Sequence, residues 1–100
     1  MSDKGKQGQD VQIQIKLDED LAQGVYVNMA MVNHTDAEFI IDFIYVQPQA
    51  PQAKVRSRVI TSPRHMKRLV AALNENLGKY EAQYGTVDMG VAPPAGQFKH

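Results

Sequence analysis

SPRHMKRLVAALNENLGKYEAQYG, residues 62–85, carries the strongest local pattern in the chain. Met66, Leu69, Val70, Leu73, Leu77, Tyr80 and Tyr84 recur at steps of three and four, with one adjacent pair, and so form one stripe on an α-helix. Ser62 suits the N-cap, where a side-chain oxygen accepts an orphan backbone N–H, and Pro63 suits the first helical position, where its missing N–H costs nothing. Gly85 is a good terminator, because glycine enters left-handed backbone without a Cβ penalty. Arg64, Lys67, Arg68, Glu75 and Lys79 lie largely off the stripe. Gly78 costs about 1 kcal/mol relative to alanine inside a helix, which suggests a close neighbour at that point.

Toward the N-terminus the period changes from 3.6 to 2. Lys54 to Thr61 alternates Val55, Ser57 and Val59 with Lys54, Arg56 and Arg58. Phe39 to Val46 places Phe39, Ile41, Phe43 and Tyr45 on one face and Ile40, Asp42, Ile44 and Val46 on the other. Val25 to Val32 places Val25, Val27, Met29 and Met31 opposite Tyr26, Asn28, Ala30 and Val32. Val11, Ile13, Ile15 and Leu17 alternate with Gln12, Gln14 and Lys16, the pattern of a half-buried strand. Asn33 to Asp36 has turn chemistry, Pro48 and Pro51 mark a turn between the last two strands, and Asp18 to Ala22 suggests one helical turn with an acidic start.

These elements predict an α+β fold: a four-stranded antiparallel meander followed by one long C-terminal helix packed on one sheet face. The expected organisation is a disordered arm at 1–10, a single domain at 11–87 and a flexible tail at 88–100. Two of the strands are apolar on both faces, and one helix covers only one face. The other face is an association site, so a homo-oligomer is expected, with a two-fold dimer as its simplest form. The candidate interface is Tyr26, Ala30, Val32, Ile40, Ile44 and Val46.

A chain of 100 residues and 11.2 kDa holds one core. Its composition, 43% hydrophobic and 22% charged, excludes a collagen, a coiled-coil rod and a wholly disordered chain. Cysteine is absent, which removes disulfides, thiolate nucleophiles and cysteine-ligated metals from consideration and suits a cytoplasmic protein. The polar start, MSDKGKQGQD, has no signal-peptide character, and the most apolar run, Phe39 to Val46, is interrupted by Asp42 and far too short to span a bilayer.

Eleven bases balance eleven acids, but they are segregated. Asp10 to Asp42 carries seven acids and one base, and Lys54 to Lys79 carries seven bases and one acid. One reading is a phosphate- or nucleic-acid-binding surface built from Lys54, Arg56, Arg58, Arg64, Lys67 and Arg68, aided by the free amides of the helix start. The other is pairing within the protein, with Asp42 facing Arg56 or Arg58 across a ladder, or acidic and basic regions meeting between subunits. His34, Asp36 and Glu38 have metal-ligating chemistry but read better as turn formers. His65 has no partner that would make it a general base. Tyr80 and Tyr84, on the stripe, read as core residues. P-loop, dinucleotide-binding and nucleophile-elbow motifs are absent, so no catalytic, cofactor or metal residue is assigned. The expectation is a non-enzymatic oligomeric binding or adaptor protein without a cofactor or membrane partner. Nucleic-acid or phosphate-ligand binding is the alternative.

Several segments together resemble one family: Ile13-Gln-Ile-Lys-Leu-Asp, Ala22-Gln-Gly-Val-Tyr-Val-Asn-Met-Ala, Val32-Asn-His-Thr, Glu38-Phe-Ile-Ile-Asp-Phe, Val46-Gln-Pro, Ala53-Lys-Val-Arg-Ser-Arg-Val-Ile and Ser62-Pro-Arg-His-Met-Lys-Arg-Leu. Leu73-Asn-Glu-Asn and Tyr80-Glu extend the match, which covers about Val11 to Gly85. The resemblance is to the prokaryotic family called domain of unknown function 3467. It implies a small intracellular prokaryotic protein with four strands followed by a helix, and it transfers no catalytic residue.

Overall fold

The structure is a computed structural model that describes residues 11–90. The expected N-terminal arm, and the last ten residues of the expected tail, lie outside the described residues. The elements run α1 (Glu19–Ala22), β1 (Met29–His34), β2 (Phe39–Val46), β3 (Ala53–Thr61) and α2 (Pro63–Tyr84). The three strands form one antiparallel meander in the order β1-β2-β3. The fold is α+β as expected, with three strands in the sheet instead of four.

The missing strand is Val11 to Leu17. The segment keeps its alternation, but it pairs with no strand among the described residues, and its apolar side chains are 69–92% exposed. The expected second strand also starts late. Asn28 accounts for this: its backbone N–H donates to Ile44 O at 3.1 Å, its Nδ2 donates to Val46 O at 3.1 Å, and Val46 N–H donates to its Oδ1 at 2.8 Å. The side-chain amide takes the place of a backbone peptide at the end of the ladder. Val46 is thereby satisfied without the backbone of residues 25–27, which leaves the sheet.

The hairpins close as the turn residues predicted. Thr35 N–H donates to Glu38 O at 2.9 Å, and Thr35 Oγ1 accepts from the amides of Ala37 and Glu38. Gln47 N–H donates to Gln52 O at 3.0 Å across the proline-bearing turn. Ser62 caps α2 by accepting from His65 N–H at 3.1 Å, and Gly85 ends it at φ 102°, a conformation that disfavours any side chain.

The core lies on the central strand. Ile41 and Ile44 are buried, at 5% and 2% exposure, and so is Asp42, at 0%. The two isoleucines are the only buried apolar side chains among the described residues, against eighteen large apolar side chains that are exposed. Most of α2's stripe belongs to the second group. Met66 and Leu69 are half-buried, but Val70, Leu73, Leu77, Tyr80 and Tyr84 are 48–67% exposed. Among the described residues the expected packing of the whole stripe on a sheet face is therefore not made; only side chains of its first turns are half-buried. Among the described residues Gly78 has no neighbour within 4 Å of the position a Cβ would take, so the close approach expected there is not seen.

Candidate functional site

Strand register decides where the candidate residues point, because directly opposed residues share a face. Asp42 stands opposite Met31 and Arg58, and Phe43 opposite Ala30 and Ser57. The next β2 residue, Ile44, is opposite Val55, so Arg56 is an extra residue in β3, a β-bulge. The bulge resets the alternation. Val55 joins Arg58 on the Asp42 face, and Lys54, opposite Tyr45, falls on the other. The sequence placed Lys54, Arg56 and Arg58 together on one face; one inserted residue separates them.

Asp42 and Arg58 form the one ion pair between strands among the described residues. Arg58 Nε donates to Asp42 Oδ1 at 2.7 Å and Nη2 to Oδ2 at 2.9 Å, a bidentate fork. The aspartate is wholly buried, whereas the arginine side chain is 56% exposed. The hydrogen bond that Asp42 accepts, and then its charge, raises the Arg58 pKa above its ordinary value. Of the two partners proposed for Asp42 from sequence, the structure selects Arg58. That arginine is committed to the fold and is a poor candidate for binding phosphate.

The other five bases fall into two groups. Lys54 and Arg56 line an open cleft of about 800 Å³ beside Tyr45 and the turn at Gln47–Gln52. Arg64, Lys67 and Arg68 line a second, shallower surface with Pro63 and Ala71 on the first turns of α2. All five are exposed, and none has a salt bridge among the described residues. Tyr80 and Tyr84 pack on each other with ring centroids 4.9 Å apart, and they are exposed where core positions were expected. They stand about 20 Å along the helix from the basic turns, at 1.5 Å per residue, so base stacking and phosphate contacts do not converge on one surface.

The six-residue interface predicted from sequence is also divided. Ala30 and Val32 oppose Phe43 and Ile41, while Ile40, Ile44 and Val46 occupy the opposite face of β2. Tyr26 makes an edge contact with Tyr45, on the Ile41 side, at 6.3 Å between centroids. Ile44 is buried, whereas Tyr26, Ala30 and Val32 are exposed. The alternation expected for β1 and β2 holds, but their faces join differently, because only register shows which side of one strand continues into the next.

His34 lies against Phe39, with ring centroids 5.4 Å apart, at the end of the β1–β2 hairpin. No group of three or more histidine, cysteine, aspartate or glutamate side chains arranged for a metal is found among the described residues. No helix among them is long and apolar enough to cross a membrane. The role of Asn28 was not foreseen. Its signal was an amide residue just before the strand, which chemistry alone does not distinguish from a turn former.

Beyond the geometry, comparison with known proteins yields one match. No curated protein and no solved structure matches the chain. The family model described as "Protein of unknown function (DUF3467)" matches residues 1–89, a wider span than the segments that carried the resemblance. With nearly nine-tenths of its length aligned to that model, the chain belongs to the DUF3467 family.

Proposed function

We propose that the chain is a small non-enzymatic binding or adaptor protein that works as an oligomer, with a homodimer as its unit. The observation that carries this reading is the exposed apolar stripe of α2, Val70, Leu73, Leu77, Tyr80 and Tyr84, in a chain whose described core has two buried apolar residues. A contiguous apolar surface of this kind marks an association site. The segregated charge supports the same reading, since an acidic half on one copy attracts a basic half on another. A cytoplasmic setting goes with it, supported by the absence of cysteine. The non-enzymatic part rests on the lack of a nucleophile–base pair or cofactor motif in the sequence. Light scattering at micromolar concentration is the test, with a mass of at least twice 11.2 kDa expected. A clean monomer overturns the oligomer. Elemental analysis of native protein tests the rest, and a stoichiometric transition metal would overturn the non-enzymatic reading.

A second reading, binding of nucleic acid or a phosphate ligand, draws on Arg64, Lys67 and Arg68. These share one surface at the α2 N-terminus, with no salt bridge among the described residues. The commitment of Arg58 to Asp42 and the division of the remaining bases between two surfaces weigh against it.

A further inference from the structure

Residues 11–17 have the alternation of a strand and the exposure of a segment without a sheet. Val11, Ile13, Ile15 and Leu17 line one side, and the backbone makes no ladder among the described residues. The sheet has two outer edges, on β1 and β3. Natural sheets protect an edge with charge or a bulge, and β3 has both, in Lys54, Arg58 and the bulged Arg56. β1, Met-Ala-Met-Val-Asn-His, has no charge, no proline and an unbroken register with β2. Among the described residues it is a six-residue edge without charge, proline or bulge, and residues 11–17, which alternate like a strand, pair with no strand there.

The chain does not join them within one copy. The turn of α1 follows the segment, Gly24 redirects the backbone at φ 73°, and β1 begins only at Met29. We propose that residues 11–17 of one copy add to the outer edge of β1 in a second copy, and reciprocally, so that the fourth strand of each sheet is supplied in trans. Exchange of an identical element closes a two-fold dimer. It satisfies the backbone of both partners at once and sets Val11, Ile13, Ile15 and Leu17 beside the side chains of β1 on one sheet face. Gln12, Gln14 and Lys16 meet no like charge on β1. Every copy carries both the exposed alternating segment and the open β1 edge, so a second copy supplies what the first needs.

The inference rests on the oligomer reading and specifies its architecture, and the test separates the two. Full-length isotope-labelled chain is mixed with unlabelled chain and dissociated and reassociated, and isotope-filtered cross-peaks between chains are recorded beside light scattering. The expected result is a dimer with inter-chain contacts between residues 11–17 and 29–34. A dimer whose inter-chain contacts come only from α2, or in which 11–17 lies on β3, overturns the exchange and leaves the oligomer standing. Coverage of β1 by residues 1–10 or 91–100 also overturns it, as does pairing of 11–17 with β1 of the same chain. A monomer overturns both proposals. The double variant Ile13→Asp, Ile15→Asp should weaken dimerisation at least tenfold while circular dichroism shows the helix retained; unchanged dimerisation refutes the exchange.

Discussion

Removing either partner of the Asp42–Arg58 pair should have unequal consequences, because the two are unequally buried. Arg58→Met keeps the aliphatic stem and removes the fork. The carboxylate it leaves is wholly inaccessible to water, and breaking a buried pair from that side typically costs about 3–5 kcal/mol. Asp42 is not held by Arg58 alone, which places the expected loss at the low end, about 3 kcal/mol. For a domain of this size that lowers the melting midpoint by roughly 12–24 °C. Asp42→Asn starts from the other end. It keeps the shape, removes the buried charge, and leaves an arginine that is already more than half exposed and turns to water. About 1 kcal/mol of hydrogen-bond energy should be lost. The assay is thermal unfolding by circular dichroism at one fixed protein concentration, at neutral pH and again near pH 4. Protonation neutralises the carboxylate that has lost Arg58, so the deficit of Arg58→Met relative to wild type should narrow as the pH falls. If Arg58→Met is no more destabilised than Asp42→Asn, or its deficit grows in acid, the argument from unequal burial is wrong.

Three further outcomes follow from local structure. Ser62→Ala removes the acceptor for His65 N–H and should cost about 1 kcal/mol in the same melting assay; no change would mean that solvent caps α2 equally well. Gly78→Ala should raise stability by about 1 kcal/mol, since nothing among the described residues lies near the added methyl, and a drop would show that another segment or a second copy packs closely there. The triple variant Arg64→Ala, Lys67→Ala, Arg68→Ala tests the phosphate reading by filter binding to DNA and RNA at about 50 and 200 mM salt, where each phosphate contact on duplex DNA adds about −0.9 to the salt slope. The adaptor reading expects no tight binding from the parent protein, and tight salt-sensitive binding that the variant loses would favour the alternative.

The elements that sequence determined are those whose signals are local. The span of α2, its serine cap and glycine stop, the two hairpin turns and the apolar character of β2 each depend on residues a few positions apart. Even the Asp42–Arg58 contact was partly legible, because a charge inside an apolar strand demands an opposite charge on its neighbour. What tertiary structure decided are relations between distant segments. The bulge at Arg56 depends on how β3 fits β2, and it alone divides the basic stripe. Register decides which face of β1 continues into which face of β2, and it divides the predicted interface. Alternation at residues 11–17 states that the segment is suited to a sheet; it carries no information on which sheet, because every strand edge offers the same backbone donors and acceptors. The periodicity of α2 likewise identifies the side chains that avoid water, while what they meet depends on surfaces beyond the helix.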